Sequence, residues 1–262
     1  MIDTLKSFAL EAISDIAKKY DVRSLCDIGC GGAFLLSELR SIVSSDVQLT
    51  GIDFKTQLPN EETRLRLKPI TFVGRETDDF QALYSKKLRK SEGFNLIVST
   101  MALHHFRYPL SELGTIAKLT KPGGYVWIYD FSFQIKSETD FLRASLSLMD
   151  EAFANLIGEF HRHHFTLAEA LDLIKEETWE IIEAKEFRLM LEKDEAADES
   201  QRMLQTCKKK LSRFYEIEDE RARAWLQKSF EYLETRLGQF PIDFIPVFSL
   251  LLKKRSSLTD NI

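Results

Sequence analysis

The chain has 262 residues, 44% of them hydrophobic and 29% charged, with a formal net charge of −5. That is enough chain for a large core and an ordinary composition for a globular protein, and the acidic balance gives no general basic field to draw in nucleic acid. The longest apolar runs fall far short of a membrane span, the opening MIDTLKSFALEA carries acids and no signal-peptide core, and three scattered cysteines, Cys26, Cys30 and Cys207, point to a reducing cytoplasm and away from a disulfide frame or a zinc site.

Residues 4–20 set Leu5, Phe8, Ala9, Ala12, Ile13 and Ile16 at helical spacing, which predicts a packing helix. Val22, Leu25 and Ile28 then make an apolar run of strand length, and Gly29, Gly31 and Gly32 follow at once. A helical pattern begins at Phe34 and continues through Leu35, Leu39, Ile42 and Val43, so the stretch reads as strand, glycine turn, helix. Glycine without a Cβ lets a ligand lie against bare backbone. The free N–H groups at the helix start suit the polar or anionic end of that ligand. The next strand, Gln48 to Phe54, ends in Asp53, an acid placed to accept hydrogen bonds from ribose hydroxyls. A dinucleotide-binding turn of the G-x-G-x-x-G kind is one candidate, but Phe34 fills its third position and is too large for the close helix–strand packing that pattern serves.

Pro69 to Gly74 reads as the third strand, and 78–92 as an amphipathic helix whose basic face (Lys86, Lys87, Arg89, Lys90) is a solvated one. Phe94 to Thr100 is nearly all apolar, as a doubly covered parallel strand should be. His104 and His105 follow it, at the edge where ligands bind in doubly wound sheets. Either could serve as a general base, or the L-H-H-F run could be a structural corner. Pro109 to Leu119 is the next helix, K-P-G-G a tight turn, and Tyr125 to Phe131 the fifth strand, with Tyr129 and Asp130 at its end. Ser137 to Phe160 predicts a long helix. His161, His163 and His164 come next, without a cysteine or carboxylate at ligand spacing, so no metal site is expected. Thr166 and Glu169 form a capping box. Trp179 to Leu191 predicts the sixth strand. Residues 192–239 hold two amphipathic helical segments, and Val247 to Lys254, after Pro246, is the last strand.

D-I-G-C-G-G with Asp53 resembles the glycine motif of the class I S-adenosylmethionine-dependent methyltransferases. Phe94 to Phe106 and Leu119 to Phe131 are similar to that family's fourth and fifth strands with their loops. The likeness is to the small-molecule branch similar to the ubiquinone and menaquinone methyltransferases, over about residues 22–190. It implies an α/β fold, a Rossmann-like doubly wound seven-stranded sheet, with helical insertions at about 132–164 and 192–239 forming a cap on a single domain, 1–262. It implies S-adenosyl-L-methionine as cofactor and no metal. The cofactor-binding candidates are Asp27, Gly29, Cys30 and Gly31 in the turn, Asp53 and Phe54 at the second strand, and Ser99, Thr100 and Met101 at the fourth. Arg75 and Glu76 stand where the family usually pairs an acid with the adenine amino group, a departure from its pattern. His104 and His105 are the catalytic candidates. The amine-gripping N-P-P-Y motif and a Pro-Cys nucleophile are both missing after the fourth strand, which argues against base methylation.

The expected function is methyl transfer to a small-molecule acceptor by in-line displacement, in the cytoplasm. An acceptor on tRNA or protein, or a non-catalytic S-adenosylmethionine-binding protein, are the alternatives. The two insertions would bury their apolar faces on each other above the reacting methyl, with Phe141, Met149, Phe153, Trp225 and Phe230 lining an apolar cavity. Pairing with a second copy, as a homodimer, is the other use for those faces.

Overall fold

The computed structural model describes residues 2–75, 93–240 and 242–256. The helix expected at 78–92 lies outside them, as does Glu76. In chain order the elements are α1 (Asp3–Lys19), β1 (Ser24–Ile28), α2 (Phe34–Ile42), β2 (Gln48–Phe54), α3 (Glu61–Arg66), β3 (Thr71–Arg75), β4 (Phe94–Thr100), α4 (Pro109–Leu119) and β5 (Thr120–Phe131). Then come α5 (Glu138–Leu156), α6 (Leu167–Asp172), β6 (Trp179–Met190), α7 (Lys193–Leu211), α8 (Glu220–Leu237) and β7 (Phe244–Lys254).

The seven strands form one sheet in the order β3-β2-β1-β4-β5-β7-β6. β1 pairs in parallel with β2 and β4, β2 with β3, and β4 with β5. β7 runs the other way. Ser132 donates to the Pro246 carbonyl while Lys254 reaches the Thr120 carbonyl, so residue numbers rise along β5 as they fall along β7. Leu191 to Asp243 and Arg255 to Thr178 show the same opposition between β6 and β7. β1 to β6 are therefore parallel, and the chain reverses direction across the sheet between β1 and β4. That switch point is where ligands bind in open α/β sheets, at the carboxyl ends of the strands. β1 and β4 are buried almost throughout, matching their apolar runs.

The chain divides into two compact units. A sheet unit comprises residues 6–130, 168–185 and those from Ser249 onward. A helical unit comprises the first five residues, 131–167 and 186–248. The helical unit has a core of its own, built by α5, α7 and α8: Leu142, Phe153, Met203, Cys207, Leu226 and Phe230 are all but inaccessible. Phe214 packs between Phe153 and Phe230, its centroid 5.6 Å from each ring. Arg143 of α5 crosses this layer to Glu199 of α7, both buried, and Glu199 also takes Arg202.

Several local expectations are corrected. K-P-G-G is not a turn before β5 but an irregularity inside it. Phe94 pairs with Thr120 and Leu96 with Tyr125, so the extra residues bulge out of the ladder and the strand starts earlier. β7 also starts earlier and contains Pro246, whose carbonyl is used although it has no N–H to give. α5 stops at Leu156 because Gly158, at φ +75°, ends it: Glu159 N–H returns to the Ala154 carbonyl and Gly158 N–H to Asn155. Phe34 and Ile42 are exposed, and α2 buries Leu35, Leu36 and Leu39 instead. α3, capped by the Asn60 side chain on Thr63 N–H at 2.8 Å, was not expected. Phe153 and Phe230 do not line a cavity, because both are sealed in the helical core.

Candidate functional site

The glycine turn after β1 takes positive φ at two glycines, a conformation that glycine adopts without strain. Gly29 has φ +83°, and a Cβ there would lie 2.5 Å from the Ala102 Cβ. Gly31 has φ +49°, and a Cβ there would meet nothing within 4 Å. The turn is therefore closed on its Gly29 side and open at Gly31. The turn is tied to β2: Gly29 and Cys30 donate to the Ile52 carbonyl at 2.9 and 3.3 Å, and Gly31 N–H donates to Asp53 Oδ2 at 2.7 Å. Asp53 Oδ1 accepts from Phe54 N–H. The acid at the tip of β2 and the bare backbone at Gly31 are thus one hydrogen-bonded piece.

Asp27, last but one in β1, is buried, and its Oδ1 has no hydrogen-bond partner among the described residues. Burial, and then repulsion from the Asp53 carboxylate, pushes it up to about 7. Burial also drives the Cys30 thiol well up, with the same two carboxylates adding to it. Ser99 Oγ and Thr100 Oγ1 at the end of β4, and Tyr129 Oη at the end of β5, are likewise buried without partners among the described residues. Buried hydroxyls and carboxylates are normally satisfied. By register Asp27, Thr100 and Tyr129 share one face of three adjacent central strands, where their orphan atoms call for polar partners, while Ser99 points to the other face. Met101, next in line, is held at φ +53° with its N–H on the Tyr129 carbonyl at 2.7 Å. That is a strained conformation for a side chain of its size.

Phe54 presents a flat ring, one face of which carries the Arg75 guanidinium at 3.8 Å from the centroid. Arg75 is itself buried and lies 3.6 Å from the buried Glu112 carboxylate of α4. The cation that departs from the expected acid is therefore neutralised by an acid from a different element, a partner to which no spacing in the chain points.

His104 sits in a short helical turn, Leu103–His105. Its Nδ1 lies 2.7 Å from Asp130 Oδ1, and its backbone N–H donates to Asp130 Oδ2 at 3.1 Å, all of it buried. A carboxylate on Nδ1 sets the tautomer, with the proton on Nδ1 and the lone pair on Nε2. His105 is exposed, its ring centroid 4.0 Å from that of His104. Asp130 was noted at the end of its strand but not as a partner of His104. An acid ending one strand beside a histidine leaving its neighbour was the available signal. Two of the other three histidines pair with carboxylates of α5, His163 with Glu151 at 2.6 Å and His161 with Asp150 at 3.7 Å, and His164 donates its backbone N–H to Ser147 Oγ at 3.1 Å. No group of side chains able to hold a metal is found among the described residues.

Within the helical unit, α5 and α8 leave a groove of about 380 Å³ lined by Phe141, Ser145, Met149, Trp225, Lys228 and Tyr232. It takes three of the five residues expected to line an apolar cavity. Among the described residues no helix is long and apolar enough to cross a membrane.

The sequence pattern of a family described as a methyltransferase domain matches residues 2–179. A ubiquinone biosynthesis O-methyltransferase of Burkholderia thailandensis is 28% identical over 58% of this chain and 66% of its own length. A relative of the same name from Proteus mirabilis is 30% identical over 40% of each chain, so this chain spans 40–66% of the length of these curated relatives. Among solved structures, a cyclopropane-fatty-acyl-phospholipid synthase-like protein from Lactobacillus casei superposes with a TM-score of 0.66 at 14% identity, over 95% of this chain and 92% of its own.

Proposed function

The chain belongs to the methyltransferase domain family, and from that premise we propose that it is an enzyme moving a methyl group from S-adenosyl-L-methionine to a small-molecule acceptor. The observation that carries the reading is the opening at Gly31, with Asp53 hydrogen-bonded to its rim, beside Asp27 Oδ1, which is buried without a partner among the described residues. Those residues fit a cofactor with a ribose, a cationic centre and a polar tail. The bound cofactor supplies a methyl carbon already made electrophilic by its sulfonium. Everything else is the chain's work of holding and shielding.

Asp53 offers its remaining lone pairs to ribose hydroxyls, and Asp27 places negative charge beside a cation. Gly29, Cys30 and Gly31 supply a close backbone wall. Ser99, Thr100 and Met101 bound the site from β4. Phe54, backed by Arg75, is the flat surface for the base, with Glu76 as the acid nearest in sequence. His104, oriented by Asp130, takes the proton at Nε2 when the acceptor carries one, and His105 is the alternative base. The α5–α8 groove of the helical unit suits an acceptor with hydrophobic parts. The reading includes a homodimer and a cytoplasmic location, the latter supported by three cysteines that are all buried and unbridged.

The test is a thermal-shift titration with S-adenosylmethionine, its demethylated product and NAD. The first two should raise the melting temperature and NAD should not. Asp53→Ala should weaken S-adenosylmethionine by about 1–3 kcal/mol, and Gly31→Val should nearly abolish binding by filling the opening. Unchanged affinity in both folded variants would defeat the assignment. Incubation of metabolite extracts with methyl-labelled cofactor then identifies the acceptor.

A further inference from the structure

β6 is the last strand in the sheet order, paired with β7 on one side and with no strand on the other among the described residues. It runs from Trp179 to Met190, twice the length of a common strand. Successive strand residues point to opposite faces, yet Glu180 to Lys185 are all exposed, with Ile181 at 44% and Ile182 at 38%. Neither face of that half of the strand is covered, and its outer row of backbone groups has no ladder. A long edge of this kind is a template for another strand.

The side-chain order says which strand. In an antiparallel pair, directly opposed residues lie on the same face, so two copies of β6 can pair only about a residue or in steps of one residue at the centre. Centred on Ala184, Glu183 faces Lys185 of the other copy and Lys185 faces Glu183. In the same register Ile181 faces Phe187, Ile182 faces Glu186, and Glu180 faces Arg188, whose guanidinium already reaches Asp140 at 3.3 Å. Each of these pairs occurs twice by symmetry. Centring one residue earlier sets Glu183 against Glu183, and one residue later sets Lys185 against Lys185. Opposite charges across a ladder stabilise and like charges destabilise. The strand is therefore complementary to itself in one register and repelled in the two beside it. Glu183 and Lys185 already touch within one chain at 2.8 Å on the exposed side, so pairing would make a square of alternating charge. A parallel partner would not close under a two-fold axis, whereas the antiparallel one does.

We propose that β6 is the dimer interface of this protein, two copies joining edge to edge about Ala184 into one continuous sheet. This deepens the homodimer part of the proposed function and is independent of the methyl-transfer part.

The experiment is multi-angle light scattering and sedimentation equilibrium on the full chain at micromolar concentration. The expected mass is twice that of the chain. Glu183→Lys sets lysine against Lys185 twice over and should weaken association at least tenfold. The double change Glu183→Lys with Lys185→Glu restores opposite charges and should restore the dimer. Both positions are exposed, so the circular dichroism spectra of the variants should match the wild type, and rescue by the second change cannot arise from a damaged fold. Raised salt should weaken the wild-type dimer. A wild-type monomer at all concentrations would overturn the dimer itself. A single variant that stays dimeric would overturn the β6 edge and move the contact to another surface, such as the α5–α8 groove.

Discussion

Asp27 is where the site and the fold pull in different directions. Its folded carboxyl titrates near 7 against 3.8 when unfolded, so between those values the folded chain holds the proton that the unfolded chain has lost. Its contribution to stability is therefore full below the unfolded value and falls as pH rises through the folded one. Asp27→Asn should raise the melting temperature most at about pH 8 and not at all at about pH 4, followed by scanning calorimetry across that range. A cationic cofactor reverses the preference by stabilising the ionised carboxyl. Wild-type affinity for S-adenosylmethionine should rise between about pH 6 and pH 8, and the Asn variant should bind weakly with a flat profile. A calorimetric titration in which both proteins share one slope would remove Asp27 from the cofactor. At His104 the two roles separate differently. His104→Ala removes the buried hydrogen bond to Asp130 and should cost about 1–3 kcal/mol of stability. If the ring is also a base, kcat should fall far more than KM, with the loss of the limb of the pH–rate profile that reports it. Wild-type kcat in a merely less stable protein would leave the pair as a structural corner.

Between elements, the Arg143–Glu199 pair is the contact most sensitive to change. Burial lowers the Arg143 pKa, and Glu199 opposes that shift. Removing Glu199 takes from the buried Arg143 its hydrogen-bonded partner, so Glu199→Ala should destabilise by about 3 kcal/mol or more in urea unfolding. Arg143→Met with Glu199→Leu should recover most of that loss, since a well-packed apolar pair replaces a desolvated ionic one. The elements themselves were largely legible in the sequence. β1, β2 and β4, largely buried, announced themselves as apolar runs ending in the residues of the candidate site. The failures have physical causes. K-P-G-G has turn chemistry, and pairing of Phe94 with Thr120 turned it into a bulge. Phe153 and Phe230 carry the same helical spacing whether they line a cavity or seal a core, and only the packing of Phe214 between them decides it. The glycine turn, Asp53 and the L-H-H-F corner were readable because they are local. Asp130 on His104 and Glu112 on Arg75 were not, because 26 residues separate the first pair and a different element supplies the second.

Over the whole molecule, Cys26, Cys30 and Cys207 lie in different places and are alike in being buried, with burial raising the thiol pKa at each. A thiol that is neither exposed nor ionised reacts slowly. An aromatic disulfide reagent should therefore titrate almost nothing in the native protein and all three cysteines in denaturant. Fast reaction of one thiol in native protein, slowed by S-adenosylmethionine, would single out Cys30 beside the glycine turn. The position of β7 carries a consequence for how the protein comes to be made. Among the described residues it is the last strand in chain order and yet stands inside the sheet, between β5 and β6. While a ribosome is still adding the residues of α7 and α8, β6 has already emerged and has no neighbour to bond to. β1 to β5 can join in order as they appear, but β6 must wait for Phe244–Lys254. Nascent chains halted before Phe244 should therefore expose an unpaired β6 on both edges, and they would be the ones a cell's chaperones meet.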